Sequence, residues 1–260
     1  MIRSLITLAL LIPCTAQAQA VADTTVNYGM YVLGVRMALG EVHLAYDPSG
    51  YRIDLRMRTT GAAKMFYDGF QDSAVSGTWQ SGGPLPAVLN STGTWNGDPH
   101  KLVISFATGA PVVTTLIPPD RKKREPIPPE KLRDAIDIPS AIVALLRQVA
   151  TAGSCERSSR TFDGRRLSQV SAHDAGDEVL KPDERSSFSG PTKRCRLDIR
   201  QISGFEKGDD PVDATRTRHA TVWLARVTPD GPMVPVRIDM EARYVGEAQL
   251  FLSRAEKPPG

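Results

Sequence analysis

Cysteine and histidine are both scarce in this chain, with three of the first and four of the second among 260 residues. Metal centres draw on clusters of these side chains at short, fixed spacings. His43, His100, His173 and His219 are scattered instead, with no pair at helical or hairpin spacing, so no metal site is expected. Recurring catalytic signatures are missing as well. The chain has no Gly-x-Ser-x-Gly elbow, no Cys-x-x-Cys, no His-Glu-x-x-His, no Ser-x-x-Lys beside a matching second element and no phosphate-cradling glycine loop. No catalytic residue and no cofactor is therefore assigned. Nor is there an excess of one charge: 32 Lys and Arg against 29 Asp and Glu leave a net +3, which excludes the basic footprint of a nucleic-acid-binding protein. No segment approaches the roughly 20 consecutive apolar residues that a membrane-spanning helix needs.

A short apolar stretch does open the chain. Arg3, the apolar core "LITLALLI" (5–12) and the small residues of "AQA" read together as a secretory signal over residues 1–20, with the mature chain starting near Val21 and residing in the periplasm. Cys14 follows that core, where a bacterial lipoprotein carries its lipid. Pro13 precedes it where such sites need a small residue, so lipid anchoring is not expected and Cys14 leaves with the signal. Cys155 and Cys195 then remain in an oxidising compartment and are expected to pair. Closing a loop of about 40 residues stabilises by roughly 4 kcal/mol in the chain-entropy account.

Period-two alternation dominates what is left. Tyr51, Ile53, Leu55 and Met57 interleave with Arg52, Asp54, Arg56 and Arg58; "VPVRIDMEARY" alternates in the same way from Val234 to Tyr244. Such patterns are half-buried antiparallel strands with one wet face. Weaker versions occur at 26–33, 36–46, 71–80, 86–95, 101–107, 112–117, 160–172, 193–203, 217–227 and 247–254. Asp-Pro-Ser-Gly (47–50), Pro-Asp-Gly-Pro (229–232) and Phe-Asp-Gly (162–164) are turn signals at hairpin positions. The centre differs. Residues 117–137 are rich in proline and carry a basic cluster, so they read as an extended connector, and "IPSAIVALLRQVA" (138–150) predicts one helix, apolar almost all round, with Pro139 in its first turn and Gly153 just past its end. Residues 21–260 thus form a single β-rich domain with one central apolar helix.

Each cluster with chemical potential has a plain reading beside it. Arg121, Lys122, Lys123 and Arg124 suit anionic headgroups or simply a solvated loop; "GDDPVD" (208–213) lacks the alternating ligands of a calcium loop and reads as a connection. Tyr28, Tyr31, Tyr46, Tyr51, Phe66, Tyr67, Phe70, Trp79, Trp95 and Phe106 crowd the first half, as core or as the lining of a concave apolar site.

Several stretches together resemble the DUF3108 family of exported bacterial proteins: "YGMYVLGVRMALGEVHLAY" (28–46), "RTTGAAKMFYDGF" (58–70), "DAIDIPSAIVALLR" (134–147), "CERSSRTFDGRRLSQV" (155–170), "SGPTKRCRLDIRQISGF" (189–205) and "VPVRI" with the closing strands (234–254). The resemblance implies a periplasmic, mainly β protein: an antiparallel open or spiral β-barrel or curved sheet akin to lipoprotein carriers and related envelope-integrity proteins, plugged by the helix at 138–150. It implies no catalytic residues. Two functions are expected from this. The first is a non-enzymatic envelope-maintenance protein holding a lipid, an acyl chain or an apolar partner segment on a concave sheet. The alternative is a hydrolase of an envelope polymer working through acids such as Asp54, Asp68 or Asp72. No ligand-binding residue is assigned.

Overall fold

The computed structural model describes residues 22–253 except 82, 121–122, 230 and 243–245. The expected signal at 1–20, with Cys14, lies outside the described residues, as do Arg121 and Lys122 of the basic cluster, Asp230 of the 229–232 turn, and Arg243 and Tyr244 at the end of an expected strand.

Seven strands come first: β1 (Ala22–Val32), β2 (Val35–Tyr46), β3 (Gly50–Thr59), β4 (Gly69–Gln80), β5 (Gly83–Trp95), β6 (Asp98–Ser105) and β7 (Val112–Ile117). A short α1 (Pro129–Leu132) and the long α2 (Ile138–Ala152) follow. The second block is β8 (Arg157–Phe162), β9 (Leu167–Leu180), β10 (Gly190–Ser203), a short α3 (Pro211–Thr215), β11 (Arg218–Arg226), β12 (Met233–Ala242) and β13 (Gly246–Ser253). All thirteen strands form one antiparallel sheet in the order β7-β6-β5-β4-β3-β2-β1-β13-β12-β11-β10-β9-β8. The two blocks join where β1 lies beside β13, with Asn27 opposite Ser253. The edges β7 and β8 do not pair, so the sheet curves without closing, with α2 packed against β3, β4, β5, β8 and β12.

Two of the expected turns are made by aspartates. Asp47 Oδ1 accepts the backbone N–H groups of Ser49 (2.7 Å) and Gly50 (2.9 Å), and Asp163 Oδ1 accepts those of Arg165 (2.9 Å) and Arg166 (2.7 Å). The segment read as one strand over 160–172 is therefore two, β8 and β9, folded back at this turn, with Gly164 at φ 93°. Two connections read as irregular contain single helical turns: α1 begins at Pro129, and α3 is capped by Asp210, whose Oδ1 accepts Val212 N–H at 2.8 Å.

Helix α2 is held at its start by a buried polar chain. Asp137 is its N-cap, with Oδ1 accepting Ser140 N–H at 2.8 Å and Oδ2 accepting Ser140 Oγ–H at 2.7 Å. Tyr51 on β3 donates its hydroxyl to Ser140 Oγ at 2.7 Å, tying helix to sheet, and burial pushes the Asp137 carboxyl above its ordinary range. Asp137→Ala removes a cap and leaves the Ser140 hydroxyl proton without an acceptor in the core, a loss expected to be about 2–4 kcal/mol. Asp137→Asn keeps the acceptor for Ser140 N–H but turns an amide donor toward Ser140 Oγ, so it should recover the cap's share of the loss and not the hydroxyl's. Chemical denaturation of the two variants measures the difference. At the other end, Gly153 at φ 66° closes the helix, and Cys155, two residues on, is bonded to Cys195 of β10 across a Cα–Cα distance of 5.7 Å. The expected disulfide is present, with both cysteines fully buried.

Candidate functional site

The inward face of the sheet follows from the alternation. Ala38, Gly40, Val42 and Leu44 on β2 stand on the same side as Ile53, Leu55 and Met57 on β3, and the main core is built here and around Val143, Leu146 and Val149 of α2. The helix does not fill the whole concavity. Between Pro139, Ile142, Val143 and Leu146 on one side and β1, β2, β3, β12 and β13 on the other lies a cavity of about 240 Å³ walled by apolar side chains, among them Met30, Val42, Met57, Ile238 and Leu250. Two small residues on β2, Ala38 and Gly40, make the space, and Ile142 is 43% exposed beside it. The wall contributes the Tyr28 hydroxyl, already donated to the Pro235 carbonyl at 2.9 Å. Nothing in the cavity therefore asks for a polar partner.

One end of the sheet adds a second apolar feature. Met30, Ala38 and Met57 are the cavity residues nearest the β1–β2 turn and the β3–β4 connection, which are neighbours because Thr60 N–H donates to the Met37 carbonyl. These two segments carry Leu33 (82% exposed), Met65 (83%) and Phe66 (82%), together with exposed Val35, Tyr67 and Phe70. Tyr67 stacks on Trp95 at 5.0 Å. The N-terminal aromatics thus divide: Tyr46, Tyr51 and Phe106 are core, Tyr28 lines the cavity, Tyr31 packs edge-on against Phe251, Phe66 and Tyr67 follow a 3-10 turn (Gly61–Met65) into solvent, and Phe70 is exposed at the start of β4.

Nearly the whole of this sheet, residues 24–253, matches the family described as "Protein of unknown function (DUF3108)". The chain belongs to the DUF3108 family. This DUF3108 protein is similar in structure to a beta-barrel-like protein of the domain of unknown function DUF1849 from Brucella abortus, with a TM-score of 0.52 and 12% identity over 90% of this chain and 97% of that one. At that identity the likeness is one of fold. No curated protein matches the chain in sequence.

The acids proposed for a hydrolase lie on the other face of the DUF3108 sheet or at its end. Asp54 and Asp72 meet in a shallow outer depression with Glu41, His43, Arg52 and Arg56, whereas Asp68 sits in the β3–β4 connection, accepting the Thr59 hydroxyl at 3.1 Å. His43 bridges two carboxylates, with Nε2 2.9 Å from Asp23 and Nδ1 3.5 Å from Asp54. The Asp23 hydrogen bond holds the imidazole above its ordinary value; Arg52, bonded to both Asp54 oxygens, holds that carboxyl below the usual range. Asp54 is thus an anion at neutral pH and cannot serve as a general acid there. In the connector, Arg124 is spent on structure, bonding Asp120, Glu206 and the Gly204 carbonyl. Among the described residues no three His, Cys, Asp or Glu side chains converge as a metal would require, and no helix is long and apolar enough to cross a membrane.

Proposed function

We propose that this protein is a non-enzymatic envelope-maintenance protein of the periplasm that holds a lipid acyl chain, or an apolar segment of a partner, in the cavity beneath α2. The cavity carries this reading: about 240 Å³ of apolar space suits one narrow chain better than a bulky ligand. Its position supports the same view, since the nearest end of the sheet presents Leu33, Met65 and Phe66 to whatever surface delivers the ligand. Export is supported by the N-terminal signal pattern and by the disulfide between two buried cysteines.

A fluorescent fatty-acid analogue is the test. It should bind the wild-type protein saturably, and Gly40→Leu should abolish binding. A Cβ at position 40 meets only the Arg56 carbonyl oxygen and Tyr28 Cβ, both at 3.8 Å, so the leucine fits the backbone and projects into the cavity. The melting temperature of that variant should stay at or above the wild-type value. Absence of saturable binding by the wild-type protein would remove the acyl-chain reading.

A further inference from the structure

Where the sheet fails to close, it leaves a groove of about 710 Å³ between the start of β5 and the edge of β8. On one wall stand Gly83, Pro84 and Pro86; on the other, Arg157, Ser158 and Arg160. The pairing of β8 with β9 sets which groups face the gap. Asp163 N–H donates to the Arg166 carbonyl at the turn, so residues 158, 160 and 162 direct their backbone groups away from β9. The connector uses part of that edge: Ile136 N–H donates to the Arg160 carbonyl at 2.9 Å, and Phe162 N–H donates to the Ile136 carbonyl at 2.8 Å. Beyond Ile136 the edge is open. Neither the N–H and C=O of Ser158 nor the N–H of Arg160 has a backbone partner there among the described residues.

Arg157 stands at this open stretch without a counter-charge among the described residues. Its Nε is buried with no hydrogen-bond partner, and its Nη2 lies so close to Gly83 that a Cβ there would sit 2.4 Å away. Burial alone depresses its guanidinium from the ordinary arginine value. The other charged groups of the groove are already matched to one another: Arg160 bonds the carbonyls of Lys131 and Arg133 and lies 3.6 Å from Asp134. Outside the groove, Arg218 on β11 also has a buried, unbonded Nε, but Asp213 lies 3.5 Å from its guanidinium. A half-buried cation with no anion destabilises the fold that carries it, unless a ligand supplies the missing charge.

We propose that this seam binds an extended, carboxylate-bearing segment of a partner protein, which adds as a short strand to the open part of β8 and pairs its carboxylate with Arg157. The edge provides main-chain hydrogen bonds at Ser158 and Arg160, and Arg157 selects for acid over amide. Pro84 and Pro86 lack N–H groups on the opposite wall, so the incoming strand has one partner edge rather than two.

The probe is an acetylated, amidated hexapeptide of alternating valine and threonine carrying one glutamate, compared with its glutamine counterpart. In amide NMR titrations the glutamate peptide should shift the Ser158 and Arg160 resonances saturably. The glutamine peptide, and the glutamate peptide on Arg157→Met, should each bind about tenfold more weakly. Arg157→Met should melt at or above the wild-type temperature, because it keeps the apolar stem and removes the unpaired charge. Equal binding of the two peptides would overturn the proposal, as would equivalent shifts from inorganic phosphate at the same concentration, which would indicate a general anion site. A marked fall in stability of Arg157→Met would give Arg157 a structural task instead. None of these readouts involves the apolar cavity, so the fatty-acid experiment stands or falls separately.

Discussion

An aspartate in place of Ala144 should lower the melting temperature by roughly 10–15 °C, as much as an aspartate in place of the larger Leu145. Both side chains are buried, at 3% and 8% exposure, although they are successive residues whose directions differ by about 100° around the helix axis. Each charge would enter a core with no partner, at a cost of about 3–5 kcal/mol. A helix lying on a surface would tolerate one of the two. Ile142→Asp is the control: its position is 43% exposed, so that variant should melt within a few degrees of wild type while losing the fatty-acid probe. Thermal melts of the three proteins settle the orientation of α2. A mild effect at Ala144 would mean that the helix does not plug the sheet.

The second large effect concerns Cys155 and Cys195. The bond joins Cys155, three residues past the end of α2, to the middle of β10, and so fixes the end of the plug to the second block of strands. Cys155→Ser with Cys195→Ser should cost about 2–5 kcal/mol, or roughly 5–15 °C. Because both sulfurs are fully buried, wild-type protein in reductant should keep its bond under native conditions and lose it on unfolding. Intact-mass measurement after alkylation, made below and above the transition, distinguishes the two. Labelling of either cysteine in the unreduced protein would refute the pairing.

The strands, the plug and the disulfide were legible in the sequence because each rests on local chemistry. Tyr51 to Arg58 alternate with the period of a pleated strand; Pro139 and Gly153 bracket a helix whose apolar residues face several directions. The short helices at 129–132 and 211–215 escaped because one turn leaves no periodic signal, although Asp210 before Pro211 is the pattern of a capped start. The cavity escaped for a different reason. It is defined by what is missing at Ala38 and Gly40, and by where a helix almost a hundred residues later stops filling the sheet. Phe66 and Tyr67 read as core or ligand lining by composition, yet the 3-10 turn before them carries them out of the sheet and into solvent. Arg157 gave no signal at all, since a cation is recognised as unpaired only when its surroundings are known.

The pairing of β1 with β13 means that the sheet is a simple meander read from the wrong starting point. Begun at β8, its order runs β8 to β13 and then β1 to β7, each strand beside its successor. Among the strands of the described residues, the one pair that is not adjacent in sequence is β1 with β13, where Asn27 lies opposite Ser253, and it is the joint between the blocks. A circular permutant with a short linker from Ser253 to Ala22, opened in the connector before α2, would turn that joint into a hairpin-like neighbour contact and leave every other strand pair as it is. Loop-closure entropy is paid late in the natural order, because β1 finds its second partner only when the final strand is in place. In the permuted order only a short loop is closed at that joint, and β1 meets β13 as a neighbour and no longer waits with an open edge.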